Sequence, residues 1–330
     1  MTNKERYRKL CATEQTIPLF SQDWWLDEVC GCKYWDVLLV LKGDNIVASM
    51  PVYIPHKGII SMPCYTQTMG PWFSKQFEPD NYSKKLNHRQ VCCKEFTEKL
   101  EQYPHFLQNF HSDITDWLPF YWAGYKQTTR YSYLLKNIGD KDQLWKNLSS
   151  NICRNIINAR DKEGITVRKG IPIEDFMRIN AQSYERQKLS VKGDPRLLRK
   201  LIARCRERNQ GDLWGGYDDK GRLHAAVFIV WHPGCAYYLA GGGDPEFRSS
   251  GAYSLVLWEA IHFVSDKTDT FDFEGSMLAG VEHYFRKFGT MQTPYFTITR
   301  GNISLLYKAW LKLAKVVTKQ YDTRDDHNKV

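Results

Sequence analysis

The most informative stretch of the sequence is Phe271-Asp272-Phe273-Glu274-Gly275-Ser276. Its phenylalanines alternate with carboxylates, as in a short strand with one apolar face, and Gly275 lets the chain turn before a helix. The residues up to Phe285-Arg286-Lys287-Phe288-Gly289 predict that amphipathic helix, and Tyr295-Phe296-Thr297-Ile298-Thr299 predicts the next strand. Two carboxylates therefore follow one another at the carboxyl end of a strand, which is where α/β sheets usually hold ligands.

The composition is that of a folded globular protein. A chain of 330 residues with 42% hydrophobic and 14% aromatic residues predicts two domains of ordinary size. No apolar run reaches membrane-spanning length. The charged start, Met1 to Lys9, has no apolar segment behind it and so does not resemble a signal peptide. We therefore expect the protein in the cytoplasm.

The nine cysteines do not form the pattern of a metal site or a disulfide framework. They are odd in number and irregularly spaced, and neither Cys30-Gly31-Cys32 nor Cys92-Cys93 is a C-x-x-C pair. We expect reduced, mostly buried thiols and no metal.

Charge is concentrated in the second half of the chain. Residues 1–140 hold 16 Lys and Arg against 15 Asp and Glu, whereas residues 141–330 hold 30 against 22. An anionic partner, if there is one, should therefore bind the second half.

The order of predicted elements repeats once along the chain. Each half reads helix, hairpin strands, helix, strand, helix, strand, which predicts one mixed α/β fold used twice. We place the boundary at Gly139-Asp140-Lys141-Asp142, giving a first half of residues 1–140 and a second half of residues 141–330. Four local predictions are helices at 82–102, 114–118 and 143–163 and a glycine-rich turn at 241–243. In the first of these helices, Val91, Phe96 and Leu100 are spaced as one apolar stripe.

Several stretches of the second half together resemble a known group. They are Cys153 to Arg160 with Lys162 to Val167, Ser183-Tyr184-Glu185-Arg186-Gln187, Gly251-Ala252-Tyr253 with Leu257 to Ile261, and the opening stretch with Phe285 to Gly289. This order resembles the Fem family of peptidoglycan-bridge aminoacyltransferases and related FemAB-like or BioF2-like GNAT acyltransferases. In the first half, Tyr65 to Trp72 and Gly124-Tyr125 resemble the same group more faintly.

The resemblance implies tandem GNAT-like domains with an active cleft between or within them. It also implies transfer of an acetyl or aminoacyl group from acyl-CoA or a charged tRNA to an amine, commonly of a cell-envelope precursor or sugar nucleotide. The chain lacks the long coiled-coil insertion of some Fem members, which counts slightly against a tRNA donor.

Transfer of an acyl group to an amine needs a base, oxyanion donors and an acid. Glu274 or Asp272 could be the base, directly or through a water, and equally one of them, more readily Asp272, could cap the following helix. Tyr284 and Tyr253 could be acids or could simply pack in the core.

A donor's pyrophosphate would fit a helix amino terminus. Gly241-Gly242-Gly243 followed by Arg248-Ser249-Ser250-Gly251-Ala252 predicts such a start and resembles the GNAT coenzyme A signature. Tyr253 departs from that signature because it replaces its last small residue. Lys287 could neutralise a phosphate or carboxylate, or could be an ordinary solvated lysine.

A second basic feature follows Asp194-Pro195. Four cations recur every fourth residue of a predicted helix, and we call them the basic stripe: Arg196, Lys200, Arg204 and Arg208. The basic stripe suits phosphates of a tRNA or nucleotide-linked precursor, although a solvated basic face is commoner. The sequence thus leaves two function classes open: an N-acyltransferase, or a noncatalytic GNAT-fold module that binds an anionic ligand or RNA.

Overall fold

A computed structural model of the chain describes residues 1–186, 193–275 and 277–301. Gln187 and Ser276, which belong to the stretches that predicted the family, lie outside the described residues. In the described part of the chain, no helix is both long enough and apolar enough to cross a membrane.

Twelve strands form the sheet of the described part. Those that begin in the first half are β1 (Trp35–Lys42), β2 (Asn45–His56), β3 (Ile59–Ser61), β4 (Trp72–Phe73), β5 (His105–Asn109) and β6 (Lys126–Lys136). Those of the second half are β7 (Thr166–Lys169), β8 (Gly211–Tyr217), β9 (Leu223–His232), β10 (Cys235–Gly243), β11 (Thr270–Asp272) and β12 (Met291–Arg300).

The helices lie on both faces of this sheet. They are α1 (Asn3–Thr13), α2 (Asp23–Cys30), α3 (Tyr82–Lys99), α4 (Leu118–Trp122), α5 (Lys141–Asn147), α6 (Ser150–Ile157), α7 (Ile173–Arg186), α8 (Pro195–Glu207), α9 (Ala252–Val264) and α10 (Ala279–Phe285). A π-helical turn, Asn158–Lys162, continues α6, and a 3-10 turn, Arg286–Phe288, continues α10.

The two halves share one sheet because each contributes a strand to the other. The strand order is β1-β2-β3-β5-β12-β6-β11-β10-β9-β8-β7, with β4 paired to β2. β12, from the second half, lies between β5 and β6 of the first, and β6 pairs on its other edge with β11. Backbone hydrogen bonds therefore cross between the halves along three strand pairs.

Three buried clusters cover the sheet, and one of them joins the halves. It packs α1 and α2 of the first half against α7, α8 and β9 of the second, with Phe20 lying 4.6 Å from Tyr237 between ring centroids. A second cluster packs α5, α6, α9 and α10 on the other face of the second half. The third packs α3 and α4 on the first half.

Three helix predictions were wrong in detail. The helix predicted over 143–163 is interrupted at Leu148, whose backbone is extended, because Ser149 accepts a hydrogen bond from the Ile152 N–H and starts α6 as a new helix. The helix predicted at 114–118 lies instead at 118–122, beginning with Pro119 in its first turn. On α3, Val91 is 57% exposed, and Cys92 and Cys93 are buried beside Phe96 instead.

The glycine-rich turn predicted at 241–243 is the end of β10. A Cβ on Gly242 would lie 2.5 Å from the Ser183 Cβ of α7, and one on Gly241 would lie 2.6 Å from the Ala226 carbonyl oxygen. These glycines therefore allow α7 and β9 to approach β10 closely.

Gly251 provides a test of the packing of α9 against α6. Its φ is 75°, and a Cβ there would lie 2.2 Å from the Asn155 carbonyl oxygen. We expect Gly251→Ala to lower the free energy of unfolding by about 2–4 kcal/mol, from the left-handed backbone and the overpacking. Urea unfolding measures this loss in the free energy of unfolding. Gly234→Ala, where no atom lies within 4 Å, is the control, and equal losses in the two variants would contradict the packing described here.

Candidate active site

The sheet opens where β10 and β11 separate. The two strands are parallel and pair at Ala236 with Phe271 and at Tyr237 with Asp272. β11 ends at Asp272, whereas β10 continues to Gly243. The predicted carboxylates thus lie at the carboxyl end of a strand, beside a gap in the sheet.

Asp272 lies on the face of the sheet that α7 and α8 cover. Phe271 and Phe273 pack in the cluster beneath α9 and α10. Because side chains alternate along a strand, Asp272 points to the opposite face, the side of Tyr237. Its side chain is buried, and its Oδ1 accepts a hydrogen bond of 2.7 Å from the Glu274 N–H. The carboxylate therefore shapes the turn that follows the strand.

Two polar side chains of the first half form a chain of hydrogen bonds that ends on this carboxylate. The Ser132 hydroxyl, on β6, donates to Asp272 Oδ1. Gln67 Nε2, from the buried loop before β4, donates to Ser132 Oγ at 3.0 Å. Gln67 and Ser132 are both buried. The site is therefore composite, with its carboxylate in one half and its supporting hydrogen bonds in the other.

The environment of Asp272 makes it a much weaker acid than an ordinary aspartate. Burial raises its pKa from 3.8 to about 6, although the hydrogen bonds from Ser132 and the Glu274 N–H, together with the nearby Gln67 amide, act in the opposite direction. A carboxyl group with a pKa near neutrality can exchange a proton with a bound substrate at physiological pH.

Glu274 occupies an unusual backbone conformation beside Asp272. Its φ is 58°, in the left-handed region that non-glycine residues rarely adopt. The following Gly275 is required there, since a Cβ would lie 2.1 Å from the Tyr131 carbonyl oxygen of β6. Neither carboxylate caps α10, whose N-cap is Leu278, so that alternative is wrong.

Tyr295 of β12 completes this side of the site. It is buried, and burial raises the pKa of its phenol, with Arg130 beside it opposing the rise and Glu274 and Asp272 adding to it. A carboxylate pair, a protonated phenol and a guanidinium thus come together from both halves.

Tyr284 lies on the other face of the sheet. Its ring stacks on Tyr253 with centroids 5.4 Å apart, and its hydroxyl lies 2.9 Å from Ser254 Oγ. The Tyr253 hydroxyl donates to the Tyr238 hydroxyl at 2.8 Å. Burial raises the pKa of Tyr284 well above its ordinary value, so its phenol stays protonated at neutral pH. The structure therefore separates Tyr284 from the carboxylates with which the sequence grouped it.

The start of α9 does not fit the pyrophosphate of coenzyme A. Gly251 is packed against the Asn155 carbonyl, and the Ala252 N–H donates to Ser250 Oγ at 3.2 Å. Ala252 and Ser250 are buried, and Tyr253 fills the next position with its ring. Arg248 and Ser249 are exposed beside this turn, and Lys287 lies at the end of α10, where its carbonyl accepts a hydrogen bond from the Ser149 N–H.

The basic stripe lies on α8, and much of its charge is already paired. Arg196 pairs with Asp194, and Arg204 lies within 4.0 Å of Glu28 and Glu207. The Arg208 guanidinium lies 4.7 Å from the ring centre of Trp24. Lys200 is exposed. These contacts join α8 to α2, which gives the stripe a structural role beside any part in binding.

Sequence analysis missed Ser132, Gln67 and Tyr295. Gln67 lies within Tyr65 to Trp72, a stretch that resembled the family, but nothing local indicated its role. Among the described residues, no group of three or more His, Cys, Asp or Glu side chains is arranged to hold a metal ion.

Comparison with known proteins identifies the domain in the second half. The family described as acetyltransferase (GNAT) domain matches residues 148–286. No curated protein matches the chain in sequence. Residues 148–286 are thus similar to GNAT domains, which agrees with the motifs found in the second half.

Solved structures share the fold of nearly the whole chain. The crystal structure of FemX superposes with a TM-score of 0.66 and 13% identity, covering 90% of this chain and 96% of FemX. The C-terminal domain of a putative lysylphosphatidylglycerol synthetase from Agrobacterium fabrum superposes with a TM-score of 0.57 and 9% identity. The match covers 96% of this chain and 97% of that domain. A tandem GNAT protein from the clavulanic acid biosynthesis pathway superposes with a TM-score of 0.50 and 10% identity. The match covers 90% of this chain and 94% of that protein. The predicted tandem GNAT-like fold is confirmed, and the predicted resemblance to the Fem family agrees with the fold that the chain shares with FemX.

The raised pKa of Asp272 predicts a pH-dependent stability. At pH 7 the native protein holds a buried charge, which costs about 2–3 kcal/mol relative to an ordinary aspartate. As the pH falls from 7 towards 4, the native state takes up the proton before the unfolded state does, and the cost disappears. We expect Asp272→Asn, whose amide oxygen can still accept hydrogen bonds, to be more stable than wild type at pH 7 and to lose this advantage near pH 4.

Thermal unfolding between pH 4 and 8 measures this difference. Asp219→Asn, in the exposed turn between β8 and β9, is the matched control and should show no such trend. A gap between Asp272→Asn and wild type that stays constant with pH would contradict the raised pKa.

Proposed function

We propose that this protein, with a GNAT domain at residues 148–286 in a tandem GNAT fold, is an N-acyltransferase. It moves an acetyl or aminoacyl group from an activated donor to an amine held beside Asp272 and Glu274. The observation that carries the proposal is the buried Asp272 carboxylate at the opening between β10 and β11, with a pKa of about 6.

Asp272 is the proposed base. An amine is protonated at neutral pH and cannot attack a carbonyl until it loses a proton. The ammonium gives one proton to the Asp272 carboxylate, and the resulting nitrogen lone pair forms a bond to the donor's carbonyl carbon. Glu274, half-buried two residues further on, supplies a second negative charge that attracts the ammonium form.

The leaving group departs on the other face of the sheet. When the tetrahedral intermediate collapses, the bond from carbon to the donor's oxygen or sulfur breaks, and that atom takes the electron pair and a proton. The nitrogen loses its remaining extra proton to solvent. Tyr284 is the proposed acid, because its phenol stays protonated and it lies with Tyr253 and Ser254 on the α9 and α10 side of the opening.

The packing at the start of α9 favours a donor without a pyrophosphate at that turn. Arg248, Ser249 and Lys287 remain the proposed donor-binding residues, with the charges of Arg248 and Lys287 available to an anionic donor. Gly251 and Ala252, which the sequence placed in the same group, are packed at the turn and are proposed to shape it without touching the donor. An acyl-CoA would bind there only if the Tyr253–Tyr284 stack moved. We therefore rank a charged tRNA above acyl-CoA as donor.

The acceptor that we propose is an amine-bearing cell-envelope or sugar-nucleotide precursor. FemX and the putative lysylphosphatidylglycerol synthetase domain share the fold, and the name of the second describes a lysyl group joined to a lipid, which supports an aminoacyl group as the group transferred. The choice of an amine as acceptor rests on the Asp272 base and not on these neighbours. We further propose a cytoplasmic location and a division into domains at 1–140 and 141–330, the first supporting the active site of the second.

The basic stripe favours a second candidate, a noncatalytic module that binds RNA or another anion. Lys200 is exposed and Arg196 keeps 70% of its side chain exposed, so part of the stripe faces solvent. Such a module would bind RNA with an affinity that falls steeply with salt and would not depend on Asp272.

The proposal predicts loss of transfer on removing either carboxylate. With an amine panel as acceptors, and with acyl-CoA and charged tRNA as separate donors, we expect product by mass spectrometry with at least one donor. Asp272→Asn should lower kcat/KM about 10²–10⁴-fold, because the amide cannot take the proton. Glu274→Gln should lower it less, mainly through KM.

Asp219→Asn is the control and should leave the rate unchanged. Product formation that survives in Asp272→Asn would overturn the assignment of the base. RNA or anion binding that is equal in wild type and Glu274→Gln, without product from any donor, would favour the noncatalytic module.

A further inference from the structure

We infer that Ser132 and Gln67 are positioning residues that fix Asp272 through one carboxylate oxygen and keep its other oxygen for the substrate's proton. The inference rests on the proposed function for its catalytic meaning, but its physical content concerns only the titration of one carboxyl group. It gives the first half a specific task, which is to set the protonation of a base that belongs to the second half.

The chemistry of the donors determines the direction of both hydrogen bonds between Gln67, Ser132 and Asp272. Gln67 Nε2 can only donate, so Ser132 Oγ accepts from it. The hydroxyl proton of Ser132 is then left to donate to Asp272 Oδ1. A serine held in this way always presents its proton to the carboxylate and therefore stabilises the ionised form.

Gln67 is itself held by neighbouring strands. Its backbone carbonyl accepts a hydrogen bond of 2.9 Å from Asn109 Nδ2 on β5, and Asn109 Oδ1 accepts one of 2.8 Å from the Thr297 hydroxyl on β12. The loop that carries Gln67 is further fixed by Trp25, whose Nε1 donates to Thr66 Oγ1 at 3.0 Å. The loop that carries the Gln67 side chain is thus anchored to β5 and to α2.

The convergence on Oδ1 distinguishes the two carboxylate oxygens. Ser132 and the Glu274 N–H both donate to Oδ1. A proton is less favoured on an oxygen that already accepts two hydrogen bonds, so Oδ2 is the basic oxygen. Without Ser132, the ionised carboxylate would be less stable, and the group would hold its proton at higher pH.

Other groups around Asp272 bear on its titration. Those that face it are Lys136 on β6, Cys235 and Tyr237 on β10, Tyr295 on β12, and Glu274 on the following turn. Burial raises the pKa of Cys235, Tyr237 and Tyr295, so these three stay neutral at pH 5–8. Lys136 favours the ionised carboxylate. None of these groups is altered by substitution of Ser132.

The experiment compares Ser132→Ala, Ser132→Thr and Gln67→Met with wild type. The midpoint of the Asp272 titration is followed by thermal unfolding from pH 4 to 9, and the pH dependence of kcat/KM is followed with the active donor. We expect Ser132→Ala to move both midpoints up by about one pH unit, because a hydrogen bond to a charged group is lost. Gln67→Met should move them the same way by less, and Ser132→Thr should restore the wild-type midpoint.

Two further variants separate positioning from general stability. Ser49→Ala, at a buried serine of β2, should leave both midpoints in place whatever it does to the melting temperature. Ser132→Ala combined with Asp272→Asn should show the same pH dependence of unfolding as Asp272→Asn alone, because the carboxyl group that Ser132 acts on is then absent. An unfolding midpoint that stays at its wild-type position in Ser132→Ala would overturn the inference, even if the variant were less stable.

The outcomes also separate this inference from the proposed function. A shifted unfolding midpoint without product from any donor would support the coupling and contradict the acyltransferase. Product formation with an unchanged midpoint in Ser132→Ala would support the acyltransferase and leave Ser132 with a structural role only.

Discussion

β6 pairs with β11 on one edge and with β12 on the other, and this pairing holds the two halves in one sheet. It places a strand of the first half directly beside the strand that ends at Asp272. Without that pairing, Ser132 could not reach Asp272, and Gly275 would not lie against Tyr131. The exchange of strands therefore creates the site as well as joining the halves.

The sheet also divides the site into two sides with different chemistry. On one side, the buried Asp272, the half-buried Glu274, Tyr295 and Arg130 form a polar surface drawn from both halves. On the other side, Tyr238, Tyr253 and Tyr284 form an aromatic layer between α9 and α10. An acyl transfer needs a base for the acceptor and an acid for the leaving group, and an opening between two strands allows these to act from opposite faces.

Local sequence pattern predicted the elements and the carboxylates but not their partners. The alternation of Phe271 to Glu274 was sufficient to place Asp272 at a strand end, because that signal depends only on neighbouring residues. Ser132 and Gln67 approach Asp272 across 140 and more residues, through strand pairing that no local pattern contains. Gly241 to Gly243 misled for the same reason: a turn and a closely packed strand both favour glycine, and only the approach of α7 distinguishes them.

The role of Asp272 as a base can be tested by titrating its carboxyl carbon by NMR. Protein labelled with ¹³C at aspartate Cγ would be followed from pH 4 to 8, and the signal absent from Asp272→Asn would be assigned to Asp272. Burial of the carboxyl group predicts a midpoint at about pH 6. A midpoint near 4, as in an exposed aspartate, would show that Asp272 is not poised to act as a base.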